Sequence, residues 1–158
     1  MEEKKHFRRS VIPPLVFVAA LWLIKFSEEY FHFNLFFLCI RPRTTEGLIG
    51  IFTSPFIHAN YDHLLSNTLP LVVSVTGLIY FYKEISYRVI TMIWLFTGFW
   101  VWLAARPDSH IGASGLIYGF VCFLFFSGII RRNKTLLAIS LLVPFLSGRM
   151  VWGLLAVN

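Results

Sequence analysis

The chain has 158 residues, of which 57% are hydrophobic, 18% aromatic and only 14% charged, a mixture too apolar for water to solvate as a folded domain. Its formal net charge is +6, yet the basic residues sit in short clusters between long apolar runs, a placement that speaks for membrane topology and against a nucleic-acid partner. Runs of about 18 or more apolar residues can cross a bilayer, so the composition predicts an all-α, polytopic membrane protein.

Five spans can be read in chain order. The first covers residues 11–26 and follows a tail, residues 1–10, that carries Lys4, Lys5, Arg8 and Arg9. A leader peptide would end in a small-residue cleavage site. Here the chain instead continues into Lys25-Phe26-Ser27-Glu28-Glu29, so a retained helix is predicted, with Pro13 and Pro14 in its first turn, where proline is tolerated. A long external loop, residues 27–62, comes next. Its Tyr30, Phe31, Phe33, Phe36, Phe37, Phe52 and Phe56 suit a segment lying in the membrane interface.

The remaining spans are residues 63–82, 87–105, 114–130 and 136–157. Their connections are short, which makes neighbours antiparallel in one bundle. Pro70 and Pro144 fall inside the second and fifth spans and should bend or loosen them. If the spans alternate in direction, Lys4, Lys5, Arg8, Arg9, Lys83, Arg88, Arg131, Arg132 and Lys134 share one side. The positive-inside rule makes that side, with the N-terminus, cytoplasmic. Cys39 and Cys122 lie in settings too different for pairing, and two free thiols are expected.

Polar groups at membrane depth are costly and mark function. One cluster is Gly112-Ala113-Ser114-Gly115 at the external start of the fourth span. A serine between glycines, where a loop enters a helix, is exposed on a tight turn beside unpaired N–H groups. The plainer explanation is a helix cap with glycines for close packing. The second cluster is His58-Ala59-Asn60-Tyr61-Asp62-His63-Leu64-Leu65-Ser66-Asn67. His63 and Asn67, four apart, share a helix face, whereas His58 need not. No third or fourth ligand lies nearby, so no metal is expected.

Together, His58, His63 and Asn67 in the second span and Gly112-x-Ser114-Gly115 at the start of the fourth resemble the rhomboid family of intramembrane serine proteases, from about Glu46 onward. The resemblance implies one rhomboid-like domain over residues 1–158, a helical bundle with five of an expected six spans. It makes Ser114 the nucleophile, with His63, Asn67 and the Gly112 turn as the oxyanion hole and His58 in support. Gly115 and Gly119 would form the face packed against the sixth helix. It further implies transmembrane protein substrates within the lipid bilayer, a place in the cell (inner) membrane, and no cofactor. The family's catalytic histidine stands on that sixth helix, and no histidine follows Ser114 here. Truncation before that helix is therefore the expectation, with an inactive rhomboid-like protein that binds transmembrane helices as the alternative.

Overall fold

The computed structural model describes residues 2–146. Helix α1 (Glu2–Tyr30) is followed by single 3-10 turns at Phe36–Leu38 and Glu46–Leu48, a short α2 (Gly50–Thr53) and a 3-10 turn at Ser54–Phe56. Then come α3 (Tyr61–Tyr82), α4 (Ile85–Ala104), α5 (Ser114–Ile130) and α6 (Lys134–Leu146). Helices α1, α3 and α4 are long and apolar enough to cross a membrane, while α5 and the described part of α6 are apolar but shorter. The fifth predicted span, residues 136–157, extends past Leu146, and that part lies outside the described residues.

Helix α3 is the centre of the bundle and packs against α1, α5, α6 and α4. The core is a ladder of Leu64, Leu71 and Leu78 from α3, meeting Leu21 of α1, Leu116, Ile117, Phe120 and Leu124 of α5, and Leu136 and Val143 of α6. Outward faces are apolar as well: Leu23, Phe96, Phe126, Ile130 and Phe145 are all exposed. Helices apolar all round belong in lipid. Two fully buried hydroxyls close onto their own helix, Ser10 onto the His6 carbonyl at 3.0 Å and Ser74 onto that of Pro70 at 2.7 Å, a bond that an apolar surrounding would not otherwise supply.

The first helix departs from expectation. It begins at Glu2 rather than at residue 11, so Pro13 and Pro14 lie in its interior and not in its first turn. The apolar run measures the depth of hydrocarbon, whereas a helix continues into water wherever charged residues can carry it. Here the extension is tied to α3: the Tyr80 hydroxyl donates to Glu3 at 3.2 Å, and the His6 ring stacks on Tyr80 at 5.1 Å.

Residues 27–62 form a folded platform at the far end of the bundle. Lys25, almost fully buried, meets Glu28 Oε2 at 3.2 Å, Glu29 Oε1 at 3.0 Å and the Ala59 carbonyl at 3.3 Å. Glu28 also accepts the Leu35 N–H at 3.0 Å. Backbone crosses backbone where there is no side chain: a Cβ on Gly47 would lie 2.1 Å from the Arg41 carbonyl oxygen, and one on Gly50 2.4 Å from Cys39. Arg43 clasps the end of α4, donating to the carbonyls of Leu103 at 3.3 Å and Ala105 at 3.1 Å. Tyr30, Phe31 and Phe37 of this platform point outward, as interfacial aromatics do. Cys39 is buried and Cys122 exposed, both as free thiols.

Candidate active site

Both polar clusters lie at the platform end. Asn60 is extended and caps α3, its Oδ1 accepting the His63 N–H at 2.8 Å. This holds the first turn of α3 and sets where the His63 ring points. One turn deeper, Asn67 is almost fully buried, and its Nδ2 donates to the His63 carbonyl at 2.9 Å. Its Oδ1 has no hydrogen-bond partner.

The second cluster is built by a turn and a helix start. Gly112 adopts φ +96°, a conformation that costs any other residue, and its N–H is held by the Ser54 carbonyl at 2.9 Å. Just upstream, the backbones of His110 and Ile40 pair, with N···O distances of 2.9 and 3.0 Å. The platform thus grips the chain immediately before α5. Buried Ala113 precedes Ser114, which opens the helix.

The clusters meet at Gly112. A Cβ there would stand 2.6 Å from His63 Cε1 and 2.7 Å from Nε2, so the imidazole of His63 lies against the turn that carries Ser114. The Ser114 side chain is half-buried, with no hydrogen-bond partner among the described residues. Beside it opens a cavity of about 230 Å³, walled by Ile40, Ile51, Trp94, Gly98, His110 and Tyr118, with Ser114 and Gly115 on its edge. His110 is engaged on the far side, its Nε2 3.0 Å from the Arg106 carbonyl.

His58 lies behind this assembly. It is 1% exposed, its ring centroid is 5.1 Å from that of His63 at an interplanar angle of 66°, and neither ring nitrogen closes a hydrogen bond of good geometry. Burial, reinforced by the neighbouring His63 and opposed by the Phe56 backbone, lowers its pKa from 6.5 to about 4, so the ring is neutral at physiological pH.

The two glycines of α5 separate. Nothing lies within 4 Å of a Cβ on Gly115, which borders the cavity, whereas one on Gly119 would meet Ile93 of α4 at 2.5 Å. Gly119 therefore packs against α4, while Gly115, one turn earlier, is open toward the cavity. No group of three or more metal-ligating His, Cys, Asp or Glu side chains occurs among the described residues.

Several supports were not visible from the motifs. The Ser54 carbonyl, the Ile40 bridge and the Trp94–Ile51 tie at 3.1 Å are contacts between distant segments and leave no local signal. Asn60 does leave one, an N-cap asparagine just before an apolar periodic run. So do Lys25, Glu28 and Glu29, whose i,i+3 and i,i+4 spacing at a span end marks a buried ion cluster.

Comparison with known proteins identifies the family. Residues 45–158 match the model of the Rhomboid domain. An uncharacterized protein of Mycobacterium tuberculosis H37Rv is 36% identical over 154 residues, covering 90% of this chain and 62% of its own length. One from Mycobacterium leprae is 34% identical over 155 residues, covering 90% and 59%. The chain thus spans roughly three-fifths of these relatives. No solved structure matches. A Rhomboid match over most of the chain, on apolar helices that cross a membrane more than once, makes this chain a member of the rhomboid family of intramembrane proteases and rhomboid-like proteins.

Proposed function

We propose that the whole protein is an intramembrane serine endopeptidase that cleaves membrane-anchored substrates, with Ser114 as nucleophile. The contact of the His63 ring with the Gly112 turn carries this reading, because it joins both motifs at one membrane face beside a cavity. In the proposed reaction Ser114 Oγ attacks the scissile carbonyl carbon and its proton passes to a base. The carbonyl oxygen becomes an oxyanion, received by the N–H groups at the start of α5 with the His63 and Asn67 side chains. Collapse expels the amine, and water then hydrolyses the acyl-enzyme. Donors fixed in a dry site contribute on the order of 3 kcal/mol each to such a transition state.

All five histidines of this chain precede Ser114, so residues 1–158 supply nucleophile and oxyanion donors without the family's dyad histidine. On its own this segment is expected to turn over slowly, since nucleophile and base act as a unit. The alternative reading is a rhomboid-like protein that binds transmembrane helices without cutting them.

The N-terminus and the loops with Lys83 and Arg131 are assigned to the cytoplasm of a cell (inner) membrane protein, with Ser114 outside. The end of α1 bearing Lys5 and Arg9 borders the same cavity as Lys83, and Arg131 lies over Tyr82, which gathers the basic clusters at one end as the rule for cytoplasmic loops requires. Co-expression of the full-length protein with a tagged single-span substrate separates the readings. Ser114→Ala should abolish cleavage and leave co-purification of substrate intact. Equal cleavage by wild type and variant would overturn the protease reading.

A further inference from the structure

Between α1 and α4, at the end of the bundle that carries the N-terminus, two cavities run into one another past Ile79 and Tyr87, which line both. The outer one, about 630 Å³, is bordered by the charged ends of the two helices. The inner one, about 170 Å³, has apolar and aromatic walls that include Pro14, Ile90 and Phe120. Its deep end is closed by three rings: Phe17 lies 5.8 Å from Trp94 and 5.4 Å from Phe56, and Phe56 lies 5.5 Å from Trp94.

The charges at the mouth are not all spent. Glu2 pairs with Lys5 at 3.7 Å and Glu3 accepts the Tyr80 hydroxyl at 3.2 Å. Arg9, Lys83 and Glu84 have no ion-pair partner among the described residues. Pro13 and Pro14 also withhold the N–H groups that would bond the Arg9 and Ser10 carbonyls, and both residues border the outer cavity. Two cations, one carboxylate and spare carbonyls complement a group that holds a phosphate and an ammonium together.

The inner cavity limits the occupant further. A helix, about 10 Å across, is too thick for it, and water gains nothing among apolar walls. An acyl chain is thin, apolar and already present in the surrounding solvent. We propose that this cleft seats one glycerophospholipid with an ethanolamine head from the leaflet on the N-terminal side. Its phosphodiester is held by Arg9 and Lys83, its ammonium faces Glu84, and one acyl chain passes Tyr87 and Ile90 toward the Phe17–Trp94 closure. Its charged mouth lies at the opposite end from Ser114, its deep end shares Trp94 and Leu116 with the walls of the Ser114 cavity, and the proposal does not depend on the protease reading.

The test is native mass spectrometry of the 158-residue chain in mild detergent, titrated with phosphatidylethanolamine, phosphatidylglycerol or diacylglycerol bearing the same acyl chains. One phosphatidylethanolamine should be retained roughly tenfold or more better than diacylglycerol, as two phosphate-binding cations imply. The Arg9→Gln/Lys83→Gln variant should lose that advantage, while Lys4→Gln/Arg8→Gln, which removes equal charge outside the cleft, should keep it. Glu84→Gln should erase the preference of ethanolamine over glycerol heads. Equal retention of diacylglycerol, an equal loss in the Lys4/Arg8 control, or no wild-type preference for the ethanolamine head would each overturn the proposal.

Discussion

Replacing Gly112 with alanine tests the contact on which the site depends. Two costs arise from one methyl group. Forcing a residue with a Cβ to φ +96° costs about 1–2 kcal/mol. The new methyl would also stand 2.6 Å from His63 Cε1, about 1 Å inside the separation at which carbon atoms rest, and relieving such overpacking costs about 1–3 kcal/mol more. If His63 gives way, it is displaced by about 1 Å from the Ser114 turn, which is enough to lose on the order of 100-fold in turnover. The assay is a double-mutant cycle, with reversible unfolding in mild detergent and substrate cleavage by the full-length protein as readouts. In a His63→Ala background the clash is absent, so the stability cost of Gly112→Ala should fall to the backbone part alone. An undiminished cost in that background would show that the ring does not lie against Gly112.

The other predictions concern the supports. His58 accepts a proton at pH 6.5 when unfolded and near pH 4 when folded, so the unfolded state binds more protons between those values. Stability should therefore fall as pH drops, by about 2 kcal/mol from pH 7.5 to 5, and His58→Leu should flatten the curve; a rise toward acid would refute the burial argument. Lys25→Met leaves Glu28 buried without its cation and should cost about 3 kcal/mol in unfolding, whereas Lys5→Met, which breaks only an exposed pair, should cost under about 1 kcal/mol. Asn133 caps α6 through Oδ1, 3.0 Å from the Thr135 N–H and 3.1 Å from that of Leu136, so Asn133→Ala should cost about 1 kcal/mol by the same measurement.

How far the fold could be read from residues followed a physical division. Where apolar length and a helix boundary coincide, the reading was close: α5 starts at Ser114 and ends at Ile130, and α3 ends at Tyr82, as expected. Where charge allows a helix to outrun the hydrocarbon, it was not, and α1 begins at Glu2 rather than at residue 11, which makes Pro13 and Pro14 interior residues. The platform was legible only as an aromatic segment, because single 3-10 turns carry no periodicity and the crossing of Gly47 and Gly50 over residues 39–41 is a contact between distant segments. The motif residues named from sequence do gather at one end, yet what positions them, the Ser54 carbonyl and the Ile40–His110 pairing, is invisible without the fold. Gly119 shows the converse, a motif glycine that packs against α4.

Covalent capture of Ser114 tests the central claim most directly. A fluorophosphonate probe reacts with an activated serine: Oγ bonds to phosphorus, fluoride leaves, and the hydroxyl proton passes to the neighbouring base. In the full-length protein, peptide mapping should find one adduct, on Ser114. Labelling should slow by roughly 10- to 1000-fold in His63→Ala or Asn67→Ala if these side chains are the oxyanion donors proposed above, and should vanish in Ser114→Ala. A folded full-length protein that takes up no label, or that carries the adduct on another residue, would contradict the assignment of Ser114 as nucleophile.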